Sequence, residues 1–321
     1  MRIVFMGTPE FAVNVLDQIL RAGHEVACVV TTPDKPAGRG QHVKASDVKM
    51  YALEHGLPVL QPEKLKDETF LEALRSYAAD AFVVVAFHML PKAVYAMPPK
   101  GTFNVHASLL PQYRGAAPIQ WAILNGETKT GVTTFFLDEH TDTGRIIRQQ
   151  EVDITPTDNG GTLHDKLMVA GADIACKTLQ DMENGTVETF PQPEVPVLKP
   201  APKIFKEDML IHWDDTAENI YNKIRGLSPY PAAFTRLVCQ PQSPDEPERT
   251  LSLKIYSCSI SEQKSQGKPG EMTIENDKKL RISTKNFEIY LENLQLEGKK
   301  RMGIEDFLKG FRKEYYTKYL K

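Results

Sequence analysis

The sequence predicts an α/β protein: a mostly parallel sheet with helices on both faces, followed by a smaller all-β domain. Three observations carry this. Residues 2–6 are a short run that is apolar after Arg2, Gly7-Thr-Pro-Glu makes a turn into an amphipathic helix, and residues 25–31 form a second strand. That is a β-α-β unit, whose strands pair in parallel through a right-handed crossover. Residues 81–87 are an unbroken apolar, β-branched run, the mark of a central strand covered on both faces. Beyond a proline-crowded stretch, residues 190–202, the pattern becomes short alternating strands without crossover helices, which suggests a small barrel or sandwich.

A chain of 321 residues has room for two domains, here residues 1–189 and 206–321 joined by a stiff linker at 190–205. The net charge of −3 gives no global basic field, so contact with nucleic acid must use local patches. Cys28, Cys176, Cys239 and Cys258 form no CxxC pair, and no His/Cys cluster has ligand spacing; inert thiols and no metal are expected. The run at 81–87 is far short of a membrane span. The N-terminus enters a strand without the basic n-region and longer apolar stretch of a signal peptide. A soluble cytoplasmic protein is expected, and nothing demands more than a monomer.

In chain order, the first helix starts with Pro9 near its first position, carries Phe11, Val15, Ile19 and Leu20 on one side, and stops near Gly23. A dinucleotide fingerprint would need glycines at positions 7, 9 and 12; the chain has Gly7, Pro9 and Ala12. Pro9 offers no N–H to a pyrophosphate and adds bulk where the backbone must approach it, which argues against a nicotinamide oxidoreductase. Residues 32–46 are a long Pro/Gly loop carrying Lys35, Arg39, His42 and Lys44, either a solvated basic loop or an arm that touches phosphates. Helical patterns follow at 47–55 and 67–77, around a short strand at 59–60. The central strand ends at His88-Met-Leu-Pro91, at the sheet edge where α/β proteins bind ligands. Next come a strand at 101–106, a helix at 116–124, strands at 132–137 and 145–154, and a helix at 162–183. In the second part Thr216 caps a helix ending at Gly226. Strands are expected at 234–239, 251–259, around Met272, 280–283 and 287–291. Lys299-Lys-Arg301 and a helical pattern through Phe307, Leu308 and Phe311 close the chain.

The chemistry centres on Gly101-Thr-Phe-Asn-Val-His-Ala-Ser-Leu-Leu-Pro-Gln-Tyr-Arg-Gly115. Strand residues two apart share a face, so Asn104 and His106 project together while Phe103 and Val105 point into a core. An amide beside an imidazole is a pair of donors able to hold an oxygen that gains negative charge in acyl transfer. Asp138, Glu139 and Asp142 sit in a polar turn nearby, where acids are commonly turn formers, and spacing does not choose among them.

Asn104-Val-His106, Ser108-Leu-Leu-Pro111, Tyr113-Arg-Gly-Ala-Ala-Pro118 and Asp142-Thr-Gly144 together resemble the folate-dependent formyltransferases. Val4-Phe-Met-Gly-Thr-Pro9 and Pro33-Asp-Lys-Pro-Ala-Gly-Arg-Gly40 narrow the resemblance to the methionyl-tRNA formyltransferases, over nearly the whole chain. The resemblance implies a Rossmann-like catalytic domain and an OB-like tRNA-binding barrel. It implies transfer of a formyl group from 10-formyltetrahydrofolate, without a metal, to the α-amino group of methionyl initiator tRNA for translation initiation. Asn104 and His106 would donate to the oxyanion. Asp142 would sit beside His106, make it the better donor and relay the proton. Ser108, Leu109, Leu110 and Pro111 would form the folate loop, and Phe87, His88, Met89 and Leu90 would line the pteridine pocket. Arg39, Lys35, Lys44 and Lys203 would meet tRNA, with Lys199, Lys299, Lys300 and Arg301 as further cations near its backbone. The chain departs from the family at Phe87-His88, where Tyr-Gly is usual, and at Ala107, where glycine is usual; neither change removes a donor. A folate formyltransferase acting on a small amine, such as glycinamide ribonucleotide or an amino sugar nucleotide, would share the three catalytic residues and stands as the alternative.

Overall fold

The computed structural model describes residues 1–37, 42–240 and 249–320. It divides into two units: Met1–Pro118 with Lys129–Asp153 and His164–Pro202, and Ile119–Thr128 with Ile154–Leu163 and Lys203–Lys321.

The first unit holds β1 (Arg2–Gly7), β2 (Glu25–Val30), β3 (Lys35–Ala37), β4 (His42–Lys44), β5 (Val59–Leu60), β6 (Ala81–Val85), β7 (Thr102–His106), β8 (Lys129–Phe136) and β9 (Ile146–Asp153). Seven of these make one sheet in the order β5-β2-β1-β6-β7-β8-β9. It is parallel from β5 to β7 and antiparallel across β8 and β9. The first half is therefore Rossmann-like, as expected, with an antiparallel edge added. The helices begin with α1 (Glu10–Arg21), α2 (Asp47–Glu54), α3 (Glu68–Ser76) and α4 (Lys92–Tyr95). Pro9 is the residue before α1 rather than its first position, and α1 buries Phe11, Ala12, Val15, Leu16 and Ile19. Alternate strand residues Val4, Met6, Cys28, Val30, Phe82 and Val84 form one core with Phe70, Leu71 and Leu74 of α3 and Val94 of α4. No helix among the described residues is long and apolar enough to cross a membrane.

Two local differences matter at the sheet's carboxyl edge. The central strand stops at Val85, two residues before the apolar run does, because Ala86 adopts a φ of 46°. That left-handed turn directs Phe87 and His88 out of the sheet. The 32–46 stretch contains the antiparallel pair β3–β4, with Lys35 opposite Lys44 and Pro36 opposite Val43. A two-stranded edge tolerates Pro36, whose missing N–H would break an interior ladder.

The helices α5 (Pro118–Leu124) and α6 (Gly160–Asn184) follow in the chain. The second unit adds α7 (Ala217–Gly226), β10 (Ala233–Cys239), β11 (Arg249–Lys264), β12 (Met272–Glu275), β13 (Lys279–Ser283), β14 (Phe287–Leu296), β15 (Met302–Gly303), α8 (Ile304–Gly310) and β16 (Tyr316–Leu320). Thr216 caps α7 by accepting from the Asn219 N–H. The antiparallel sheet runs β12-β13-β14-β11-β10-β16, with β15 on β14. Its two edges meet: Glu271 bridges Tyr319, and the Leu320 N–H donates to the Gly270 carbonyl at 2.9 Å. The sheet is thus a nearly closed barrel around Ile255, Leu280, Ile282, Ile289 and Leu291, which α7 caps with Ile220 and Ile224. The closing strand β16 was not expected from the sequence. The helical spacing through Phe307 is real, but it ends with α8, and Tyr316-Thr-Lys-Tyr-Leu320 takes up strand alternation with Leu320 buried.

Candidate active site

The β7 strand lies between β6 and β8, with Asn104 registered against Val84. Registered residues share a face, so Asn104 and His106 lie on the side of the sheet that carries Val84. Phe103 and Val105 are buried on the other side, where Val105 approaches Gly171 of α6. Asn104 is half-buried, and its side-chain amide has no hydrogen-bond partner among the described residues. His106 is buried, with Nε2 at 2.8 Å from the Tyr113 carbonyl. A carbonyl only accepts, so the Nε2–H is the donor and the ring is fixed with Nδ1 free. Nδ1 lies 3.9 Å from Asp142 Oδ2. That gap is too long for a hydrogen bond, so His106 does not itself anchor the carboxylate.

Asp142 is anchored by the loop. Its Oδ2 accepts from the Gly115 N–H at 2.9 Å, and the residue holds a φ of 56°. The structure separates the three acids that sequence could not rank. Asp138 turns inward on its own loop, accepting from the His140 N–H at 2.9 Å and the Thr143 hydroxyl at 2.7 Å. Glu139 pairs with Lys92 on the surface at 3.0 Å. Asp142 alone of the three faces His106.

The 108–115 loop is held from three sides. The Ser108 hydroxyl donates to the Gln112 carbonyl at 2.6 Å. The Thr133 hydroxyl donates to the Ser108 carbonyl at 2.7 Å and accepts from the Leu110 N–H at 3.2 Å and from Gln149 at 3.0 Å. The proline-rich stretch belongs to this unit and straps the loop: the Tyr113 N–H donates to the Lys199 carbonyl at 2.7 Å, and the Ala201 N–H to the Arg114 carbonyl at 2.8 Å. Gly115, at a φ of 126°, brings its Cα so close to the strap that a Cβ would sit 2.4 Å from the Ala201 carbonyl oxygen. Gly144 is tighter, with a would-be Cβ 1.6 Å from the Phe136 carbonyl oxygen. Only glycine fits at either place.

Beside this cluster is a cavity of about 1190 Å³, lined by Phe87, His88, Met89 and Leu90 together with Thr32, Pro33, Leu65, Leu71 and the lysines Lys64, Lys66 and Lys92. The Thr141 hydroxyl approaches the Met89 sulfur at 3.9 Å, so the Asp142 turn adjoins the cavity wall. Phe87 through Leu90 are thus brought together in one wall. Ser108, Leu109, Leu110 and Pro111 do not line this cavity. The Ser108 hydroxyl is spent inside the loop and Leu110 is buried.

Arg39 lies outside the described residues. Lys35 is on β3 opposite Lys44, whose side chain is exposed. Lys203 begins the last segment of the second unit, with its ammonium 5.8 Å from the Phe205 ring. In the same unit Arg301 lies over the Tyr256 ring at 4.2 Å, a stacked, preorganised guanidinium. Sequence reasoning missed the Tyr113 carbonyl, the Gly115 N–H, Thr133, Gln149 and Gln192, all of which place the catalytic candidates. Only Gly115 carried a signal, as the glycine of Tyr113-Arg-Gly115.

Comparison with known proteins agrees. The formyl transferase family matches residues 1–179, and the formyl transferase C-terminal domain matches residues 203–312. The chain is 48% identical to the methionyl-tRNA formyltransferase of Bacteroides thetaiotaomicron over 97% of this chain and 96% of that one. It is 50% identical to that of Parabacteroides distasonis, again over 97% and 96%. Among solved structures, the chain superposes on HypX from Aquifex aeolicus in complex with tetrahydrofolic acid, with a TM-score of 0.64 at 17% identity, covering 99% of this chain and 50% of that one. It also superposes on an N-formyltransferase from Helicobacter canadensis, with a TM-score of 0.61 at 22% identity, covering 90% and 98%; both likenesses speak for the fold. With its two halves matching the two domains of one family in order, the chain belongs to the formyl transferase family.

Proposed function

We propose that this protein transfers the formyl group of 10-formyltetrahydrofolate to the α-amino group of methionyl initiator tRNA. The carrying observation is the approach of Asp142 to the Nδ1 of His106 at the end of β7, with Asn104 two residues back on the same face of that strand. The relatives that are about half identical over nearly the full length are methionyl-tRNA formyltransferases, which favours the tRNA acceptor over a small amine.

The cavity wall suits the folate. Phe87, Leu65, Leu71 and Leu90 offer apolar faces to a flat heterocycle, and Lys64 and Lys66 offer cations to carboxylates. The bound folate supplies the formyl carbonyl. Asn104 donates its side-chain N–H to the oxygen that gains charge as the amine attacks, a contact that strengthens in the transition state. The Nε2 of His106 is committed to the Tyr113 carbonyl, so Nδ1 is the atom that meets substrate. It donates in the imidazolium form and accepts in the neutral form. Asp142 takes up the proton that the amine loses, directly or through one water, and the carbon–nitrogen bond to the folate then breaks as that nitrogen regains a proton and leaves as tetrahydrofolate.

In this account residues 1–189 are the catalytic domain, and residues 206–321, an OB-like barrel, bind tRNA beyond the 190–205 linker. Arg39, Lys35, Lys44 and Lys203 neutralise tRNA phosphates. The protein works as a cytoplasmic monomer. The test is transfer of labelled formyl to three acceptors in parallel: methionyl initiator tRNA, glycinamide ribonucleotide and an amino sugar nucleotide. Label in the tRNA is the expected result. Label only in a small acceptor would move the assignment to the alternative.

A further inference from the structure

We infer that Gln192 is a positioning residue for the proposed transfer, clamping the Asp142 turn to the 108–115 loop; this rests on the proton-accepting role proposed for Asp142. The Gln192 Nε2 donates to the Asp142 carbonyl at 2.8 Å and to the Gly144 carbonyl at 3.0 Å. Its Oε1 accepts from Arg114 Nε at 3.1 Å and from Nη2 at 2.5 Å. Both N–H groups and both acceptor sites of one amide are thereby used. A glutamate could not donate, and an asparagine is one methylene too short to span the same groups.

The need for such a clamp follows from the site. Asp142 Oδ2 stands 3.9 Å from His106 Nδ1, beyond hydrogen-bond reach, so the imidazole does not hold it. Asp142 also sits at a φ of 56°, which aspartate tolerates better than most side chains but which does not by itself fix where the carboxylate points. Two outside contacts hold it. The Gly115 N–H holds the carboxylate at 2.9 Å and Gln192 holds the backbone carbonyl. Arg114, the residue next to Gly115, is bonded to the far end of Gln192. The contacts therefore close a ring, Asp142 to Gly115 to Arg114 to Gln192 and back, which fixes the carboxylate relative to the loop that also binds His106 through Tyr113.

The experiment compares Gln192→Ala and Gln192→Glu in the wild-type and Asp142→Asn backgrounds, by steady-state and single-turnover formyl transfer on full-length protein. Gln192→Glu keeps the Arg114 contact and so guards against loss of folding, which circular dichroism monitors. In the wild-type background both variants are expected to lower kcat about 10–100-fold, the scale of a misplacement near 1 Å, with the KM for folate and tRNA within about 2-fold. In the Asp142→Asn background the same changes are expected to cost less than about 3-fold, because the group they position is already disabled. An equal loss in both backgrounds, a rise in KM alone, or an unchanged kcat would overturn the inference. A full rate for Asp142→Asn itself would instead overturn the role of Asp142, and with it the reason for the clamp, so the two failures are told apart.

Discussion

Thr133→Val tests how the fold holds the catalytic loop. Thr133 is fully buried on β8, and its hydroxyl joins the Ser108 carbonyl, the Leu110 N–H and the Gln149 amide at 2.7, 3.2 and 3.0 Å. Valine has nearly the same shape, so little cavity forms, but the hydroxyl disappears. Two backbone groups then lose a buried partner, at about 1–3 kcal/mol each. Gln149 also donates to the Leu110 carbonyl at 2.9 Å and can retain that bond. The sum is about 2–6 kcal/mol, a large share of a typical stability of about 5–15 kcal/mol. Urea unfolding should show this as a lower midpoint with an unchanged m-value. Because the same loop tethers His106 and Asp142, kcat should fall about 10-fold or more at temperatures where the variant is folded. A loss of stability under about 1 kcal/mol, or a wild-type kcat, would refute the idea that this hydroxyl organises the loop.

Two further outcomes are expected. Burial pushes the Cys28 thiol up to about 11 from 9.0, and the Tyr77 hydroxyl only partly offsets it. The unfolded chain loses this proton first, so the contribution is complete below pH 9 and lost as the pH rises toward 11. Two units correspond to about 2.7 kcal/mol; Cys28→Ala should flatten the alkaline decline in stability by up to that amount, and an identical decline would contradict the assignment. Arg39→Ala should weaken tRNA binding and reduce the slope of log K against log salt by about 1, whereas an unchanged tRNA dependence would remove Arg39 from the acceptor surface.

What was legible in the sequence was local. The β1-α1-β2 opening shows because apolar periodicity switches from strand to helix and back within a short span. Asn104 and His106 show because strand alternation alone puts them on one face. Asp142 was named through family resemblance, since a turn with three acids looks alike from outside; the structure separates them by what each touches. The hidden parts depend on partners distant in the chain. Gln192 reaches a turn 50 residues away from within a run of prolines that reads as a spacer. Thr133 looks like any strand threonine until the loop lands on it. The β16 strand exists because the barrel edge at Glu271 needs a partner, and no periodicity in the tail announces that. The β3–β4 pair was obscured by Pro36, which reads as loop.

The most direct measurement is single-turnover formyl transfer to methionyl initiator tRNA by Asn104→Ala, His106→Ala and Asp142→Asn, alongside thermal unfolding of each. If these three groups stabilise the charge and move the proton, each variant loses about 10²–10³ in rate at temperatures where its unfolding curve shows it folded. A folded variant of any of the three with a wild-type rate would contradict the account.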